Sequence, residues 1–205
     1  MKKLLLLTVA VAFVAGAANA ADLKQYVSLK GNYAKIKNTI KSDDKSKWDD
    51  KVFGGSLAYG LKMGDVRAEL EGTLNRSAED KEVDGDETTK VKTDVKALML
   101  NGYYDIPTGT AFTPYVGAGV GVARLKTTVK DQDDEGAFKD KLSATNLAYQ
   151  LGAGVAYELT ENWALDLGYR YADYGSYKKA FDGDDYKSKF SVQSHNVYFG
   201  ARYTF

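Results

Sequence analysis

The sequence of 205 residues contains no cysteine, so it can form neither a disulfide framework nor a thiolate metal site. It contains one histidine, and its 28 basic and 28 acidic residues leave no net charge, which argues against nucleic-acid binding. No segment after residue 20 approaches the run of about 18 apolar residues that a transmembrane helix needs. These absences exclude helical membrane proteins, disulfide scaffolds and basic nucleic-acid binders.

The N-terminus has the composition of an export signal. Lys2 and Lys3 are followed by an apolar stretch, 4–14, that is too short to span a bilayer. Ala18 and Ala20 form an A-x-A cleavage site before Ala21. We therefore predict a cleavable signal peptide at 1–20 and one mature domain at 21–205; an uncleaved membrane anchor is the alternative.

The last stretch, 191–205, alternates apolar and polar side chains with a period of two. Such a period indicates a strand with one apolar face and one polar face. Ten residues at about 3.3 Å each, tilted by about 40°, span about 25 Å, the height of the apolar band of a transmembrane barrel. The stretch therefore predicts a membrane-spanning strand, although a soluble protein could also contain one.

Seven other segments alternate in the same way, and the connections between the eight run alternately long and short. Short turns on one side and long loops on the other are typical of outer-membrane barrels. We predict an all-β fold, an eight-stranded antiparallel up-and-down transmembrane β-barrel with four long extracellular loops. The predicted strands are 25–36, 52–63, 66–76, 92–106, 114–125, 145–159, 163–173 and 191–205.

Charged side chains within these strands fall on the polar faces, where five acids meet five bases. A charge that faces lipid at the bilayer midplane costs about 2–4 kcal/mol, so the charged face should line the lumen. A soluble barrel would have the opposite arrangement. The predicted lumen network comprises Lys30, Lys62, Arg67, Glu69, Glu71, Asp105, Glu158, Asp166, Arg170 and Arg202.

Aromatic residues cluster near the two ends of the predicted strands, which is typical of the girdles at membrane interfaces. The predicted periplasmic girdle contains Trp163, Tyr203, Phe205, Tyr104 and Tyr157, and the outer girdle contains Tyr33, Tyr149 and Tyr171.

Four stretches, 98–105, 113–121, 168–171 and 200–205, resemble the opacity-protein and outer-membrane-protein-A-like eight-stranded barrels, often called the porin family. The resemblance covers 21–205 and implies an outer-membrane protein of a Gram-negative bacterium. It further implies that the barrel-assembly machinery reads Phe199, Tyr203 and Phe205. Partners implied by this location are outer-membrane lipids, lipopolysaccharide, and an extracellular ligand or host surface.

The only candidate for catalysis is His195, because barrel enzymes that modify lipid A use a histidine and a serine. However, His195 is an even number of residues from Phe205 on the same predicted strand, so both face the lipid, whereas neighbouring Ser194 faces the lumen. We therefore predict no enzymatic activity and no cofactor, and we keep lipid modification as a less favoured alternative.

The lumen charges allow two interpretations. An eight-stranded barrel is just wide enough to be filled by side chains, which favours a structural plug; a narrow ion-conducting channel is the alternative. Acidic clusters at 84–87, 131–135 and 182–185 lack the spacing of a calcium loop, so no metal site is predicted. The sequence favours a monomeric surface protein that acts as an adhesin or antigen through its loops.

Overall fold

The computed structural model describes residues 23–41, 46–77, 80–84, 87–133, 136–180 and 187–205. Side chains are described within 23–36, 52–76, 94–126, 143–176 and 191–205. The predicted signal peptide, including its cleavage residues Ala18, Ala20 and Ala21, lies outside these ranges.

The described residues form nine antiparallel strands that close into a barrel. Strands that are neighbours in sequence pair with each other, except the third and fourth, which both pair with the fifth. The first strand pairs with the last from Tyr26–Thr204 to Lys41–Lys189. The short fourth strand continues the position of the third along the fifth, so the barrel has eight strand positions. The predicted fold is therefore confirmed. The strands are β1 (Leu23–Lys41), β2 (Ser46–Met63), β3 (Val66–Ser77), β4 (Asp80–Asp84), β5 (Glu87–Asp105), β6 (Phe112–Asp133), β7 (Gly136–Glu158), β8 (Trp163–Ala180) and β9 (Lys187–Thr204).

Three short connections lie at one end of the barrel, together with the start of β1 and the end of β9. The β2–β3 connection is a two-residue turn in which Gly64 has φ of +55°, a conformation that glycine adopts without steric cost. The connections at 106–111 and 159–162 are the other two. This arrangement matches the predicted short turns.

At the opposite end, the strands continue where the sequence predicts long loops. β1 and β2 remain paired as far as Ile40 and Ser46, and β6 and β7 as far as Asp133 and Gly136. Thr127, Thr128 and Val129 favour extended backbone, but these segments lack the alternation that a lipid-facing strand needs. The sequence therefore retains the strand propensity there without the period of two that identifies a strand.

The outer surface of the barrel carries the apolar faces of the strands. Leu57, Leu167 and Phe199 are 65%, 52% and 58% exposed, whereas alternate positions point inward and are buried. Aromatic rings pack together at both ends of this apolar band, with Trp163 and Tyr203 centroids 4.9 Å apart at the end with the short turns. Within the described residues, no helix is long and apolar enough to cross a membrane.

The glycines of β6 point into a crowded interior. A Cβ on Gly117 would lie 2.3 Å from the Cδ1 atom of Tyr103, which is closer than nonbonded carbon atoms can approach. Arg124, whose direction the sequence does not determine, lies on the outer face, because its neighbours Ala123 and Leu125 are buried.

Candidate functional site

The middle of the barrel interior contains a network of buried ion pairs. Lys30 Nζ donates hydrogen bonds to Oε1 of Glu69 and Oε2 of Glu71, each at 2.6 Å. Arg170 pairs with Oε1 of Glu71, and Thr73 Oγ1 donates to the same oxygen at 2.9 Å. Glu71 is fully buried, so these partners compensate a carboxylate that would be costly to bury alone.

Tyrosine rings surround this network. The hydroxyls of Tyr26 and Tyr103 donate to Glu69 at 3.2 and 3.3 Å. Lys30 Nζ also lies 5.7 Å from the ring centroid of Tyr103 and 5.8 Å from that of Tyr198, within the range of cation–π attraction. The rings thus fill the space between the charged groups and hold them in place.

A second set of ion pairs lies towards the end with the short turns. Arg67 Nε donates to Oδ1 of Asp105 at 2.9 Å, and Lys62 Nζ lies 3.4 Å from the other oxygen of that carboxylate. Nearby, Arg202 Nε is 3.6 Å from Oδ2 of Asp166. Apart from Lys62, these charged side chains are buried, so side chains also occupy this part of the lumen.

Glu158 is the one member of the predicted lumen network that the structure places outside these clusters. It is the last residue of β7 and is exposed at the rim. Its backbone N–H donates to the carbonyl of Ala111 at 2.9 Å, and its side chain forms no ion pair with a described residue. Glu158 follows the buried, inward-facing Ala156 by two residues and therefore points to the same side of the strand. At Glu158, however, β7 has already left the enclosed part of the interior.

Amide side chains form further hydrogen bonds in the interior, beside the charged middle. Asn32 Nδ2 donates to Oδ1 of Asn75 at 2.7 Å, and Gln150 Nε2 donates to Oδ1 of Asn101 at 2.6 Å. All four residues are at most 7% exposed. A cavity beside Asn101 has a volume of about 10 Å³, enough for about one water molecule.

The outer end of the interior is apolar, which the sequence analysis missed. Twelve buried residues form one hydrophobic cluster there, and they cap the polar layers below. Tyr174, expected in a loop, is buried in this cap and only 2% exposed. The sequence does contain a signal for this apolar region, because inward positions of the predicted strands become apolar near their outer ends. The cap consists of Ala34, Ile36, Val52, Val95, Ala97, Met99, Ala123, Leu125, Ala148, Ala172, Tyr174 and Val192.

Ser194 and His195 lie on opposite faces of β9. Ser194 is fully buried in the interior, whereas His195 Nδ1 lies 2.5 Å from the hydroxyl of Tyr169 on the outer face. The ring of Tyr171 packs edge-on against the imidazole at a centroid distance of 5.4 Å. The structure therefore does not bring this serine and this histidine together as a catalytic pair.

Some of the remaining predicted site residues lie on the outer face of the barrel, and the others lie among residues that the structure does not describe. Phe199, Tyr203 and Phe205 lie on the outer face and are 58%, 37% and 57% exposed. The acidic clusters at 84–87, 131–135 and 182–185 lie outside the described side chains. Among the side chains that the structure describes, no group of three or more aspartate, glutamate or histidine residues could hold a metal ion.

Comparison with known proteins agrees with this architecture. The family model of the outer membrane protein beta-barrel domain matches residues 4–205. Outer membrane protein PagN of Salmonella typhimurium is 33% identical over 175 residues, which cover 75% of this chain and 73% of that protein. A candidate adhesin of Rickettsia conorii is 33% identical over 183 residues, which cover 81% of this chain and 72% of that protein.

Among solved structures, the crystal structure of Neisserial surface protein A is similar, with a TM-score of 0.59 and 23% identity. The match covers 88% of this chain and 97% of that one. At this level of identity, the likeness bears on the fold alone.

Proposed function

The chain belongs to the outer membrane protein beta-barrel domain family and resides in the outer membrane, and on that basis we propose that it is a non-conducting surface protein of the adhesin type. Its barrel anchors and displays the strand extensions at the cell surface. The observation that carries this proposal is the filled interior, which leaves the outer end as the part available for contact.

The interior supports an anchoring role over transport. Buried polar side chains and an apolar cap fill the lumen, and the ion pair between Glu71 and Arg170 crosses it. An ion would have to displace paired charges and then pass a largely apolar section in which few groups could replace its water molecules. The narrow channel is therefore the less favoured function.

The outer end supports a contact role. β6 and β7 remain paired beyond the apolar band to Asp133 and Gly136, and the sequence between 126 and 143 is densely charged. Paired strands present their side chains on a firmer support than an unpaired loop, because little backbone entropy remains to be lost on binding. The relative named as a candidate adhesin supports the same role.

Non-enzymatic action is part of this proposal. Ser194 faces the interior and His195 faces outward, so a nucleophile and a base on these residues could not reach the same substrate atom. The relatives compared above are named as an outer membrane protein and a candidate adhesin.

The direct test is cell binding by a non-adherent Gram-negative strain that displays the protein. Two variants replace the hairpin ends 38–48 and 127–142 by an Asn-Gly turn, which preserves strand pairing below the cut. We expect the full chain to confer binding to cultured epithelial cells and the truncated variants to lose most of it.

A matched control replaces the connection 106–111 at the opposite end by the same turn and should bind like the full chain. Heat-modifiable migration on a gel verifies that every variant is folded. Absence of binding by the full chain, or equal binding by the truncated variants, would contradict the proposed role.

A further inference from the structure

Near the outer end of the barrel, the outer surface changes from apolar to charged at the level where the inner surface becomes apolar. Along β6, the outward residues change from Val122 to Arg124 and Lys126, while the inward residues Ala123 and Leu125 are apolar. Along β5, the outward sequence changes in the same way at Leu98 and Lys96. Because an outward charge is costly in hydrocarbon, this level marks where the acyl chains end and the lipid headgroups begin.

Four outward basic residues lie together at this level and in the next row outward. Lys96 on β5 is directly opposite Arg124 on β6, although like charges opposite each other on one face repel. Arg76 and Lys126 flank Asp94 in the next row outward, and this single carboxylate cannot balance four cations. Within the described part of the chain, none of the four basic side chains forms an ion pair. The local charge is therefore complementary to an anion.

A groove in the outer wall adjoins these cations on the membrane side. It has a volume of about 420 Å³, and Leu74, Leu98 and Val122 line it below Lys96 and Arg124. Its depth comes from Gly72, where an added Cβ would meet only the carbonyl oxygen of Leu57 at 4.0 Å. The groove is thus an apolar channel on the lipid-facing surface that leads to a basic end.

We propose that this groove binds a phosphorylated lipid of the outer leaflet. The phosphate contacts Lys96 and Arg124, and one acyl chain lies along the apolar groove over Gly72. Arginine can donate two parallel hydrogen bonds to phosphate, and lysine adds a compact positive charge. A soluble anion could use the basic end but not the groove, so the combination selects a membrane lipid with a phosphorylated headgroup.

Lipid binding can be measured by native mass spectrometry of the full chain released from detergent micelles. The probes are bis-phosphorylated lipid A, the same lipid A after phosphatase treatment, and inorganic phosphate. We expect one bis-phosphorylated lipid A to be retained, and much less of the dephosphorylated lipid. The double variant K96Q/R124Q should weaken retention roughly thirty-fold, since each basic residue near an anionic headgroup contributes about a factor of five.

The variant Gly72→Leu fills the groove and should weaken retention while the basic residues remain. Gly102→Leu is its matched control, because Gly102 also has open space around its Cβ position but lies lower on β5. Lys24→Gln, at the opposite end of the barrel, controls for loss of a positive charge. Both controls should bind as the unaltered chain does.

Three results would overturn the proposal. The first is that K96Q/R124Q retains as much lipid A as the unaltered chain, and the second is that Gly72→Leu does so. The third is that inorganic phosphate displaces lipid A at comparable concentration. The last result would indicate an anion site without a lipid requirement. Heat-modifiable migration verifies folding, and a variant that does not fold is replaced by the single substitutions Lys96→Gln and Arg124→Gln, for which the same retention assay decides.

Discussion

Glu71 and Arg170 are 99 residues apart in sequence and form an ion pair inside the barrel. Glu71 lies on β3 and Arg170 on β8, strands that are not neighbours in the sheet, so the pair crosses the lumen. Lys30 on β1 contacts the other oxygen of the same carboxylate. One buried carboxylate therefore connects three separate strands and blocks the interior at its middle.

Replacing Glu71 by glutamine should destabilise the barrel. The substitution keeps the shape but leaves Lys30 and Arg170 with less negative charge, and breaking such a buried pair costs about 3–5 kcal/mol. Guanidinium-induced unfolding of the protein in phospholipid vesicles measures the change. Glu158→Gln is the control, because Glu158 is exposed at the rim, and it should change the free energy of unfolding by less than about 0.5 kcal/mol. Equal stability of both variants would contradict the account of the interior.

Gly117→Ala should destabilise the barrel because the interior has no space for the added methyl group. The new Cβ would overlap the ring of Tyr103, which is itself held 4.7 Å from the guanidinium carbon of Arg67. Overpacking of this kind costs about 1–3 kcal/mol, measured by the same unfolding assay. Gly102→Ala adds the same methyl group outside, where no atom lies within 4 Å, and should be neutral or slightly stabilising. A neutral Gly117→Ala would show that the lumen is not tightly filled.

Phe205→Gln should impair assembly in cells. The family resemblance implies that the barrel-assembly machinery reads Phe205 together with Phe199 and Tyr203, and Phe205 is 57% exposed on the outer face. The fraction of heat-modifiable barrel in outer-membrane extracts measures assembly. Phe112→Gln removes a similarly exposed ring from the same end of the barrel and controls for loss of a girdle aromatic. Equal assembly of the two variants would exclude a specific role for Phe205.

The reconstituted protein should not produce single-channel steps in planar bilayers. The paired charges and the apolar cap occupy the lumen, whereas an open aqueous channel is typical of wider barrels of about 16 strands. A 16-stranded porin in the same bilayer provides the positive control. Steady, reproducible steps that the Glu71→Gln substitution alters would show that the interior conducts ions.

The alternation of side chains made most of the fold predictable. Phe199 and Leu57 belong to outward sets that the sequence identifies, and Lys30 and Glu71 to the inward set, because each strand has lipid on one side and protein on the other. The same reasoning failed beyond the membrane. In the sequence of the strand extensions the period of two disappears, and β4 at 80–84 cannot be distinguished from a loop.

Other features depend on contacts between strands that a single sequence does not reveal. The sequence identifies Lys30, Glu71 and Arg170 as inward residues, but the register between strands decides which of them pair. Tyr174 is buried because β8 continues past the predicted end at Asp173 into the apolar cap. Likewise, the groove over Gly72 arises from residues of four neighbouring strands and has no signature in any one of them.

Within the apolar band of this barrel, apolar side chains face acyl chains and charged side chains face inward. Because the chain has no cysteine, single cysteines at Leu57, Leu167 and Phe199 can be labelled with a fluorophore, with Asp65→Cys in the β2–β3 turn as control. In vesicles of lipids with brominated acyl chains, we predict strong quenching at the three outward positions and little at Asp65. Unquenched fluorescence at those positions, in a protein that stays monomeric without detergent, would contradict the assignment.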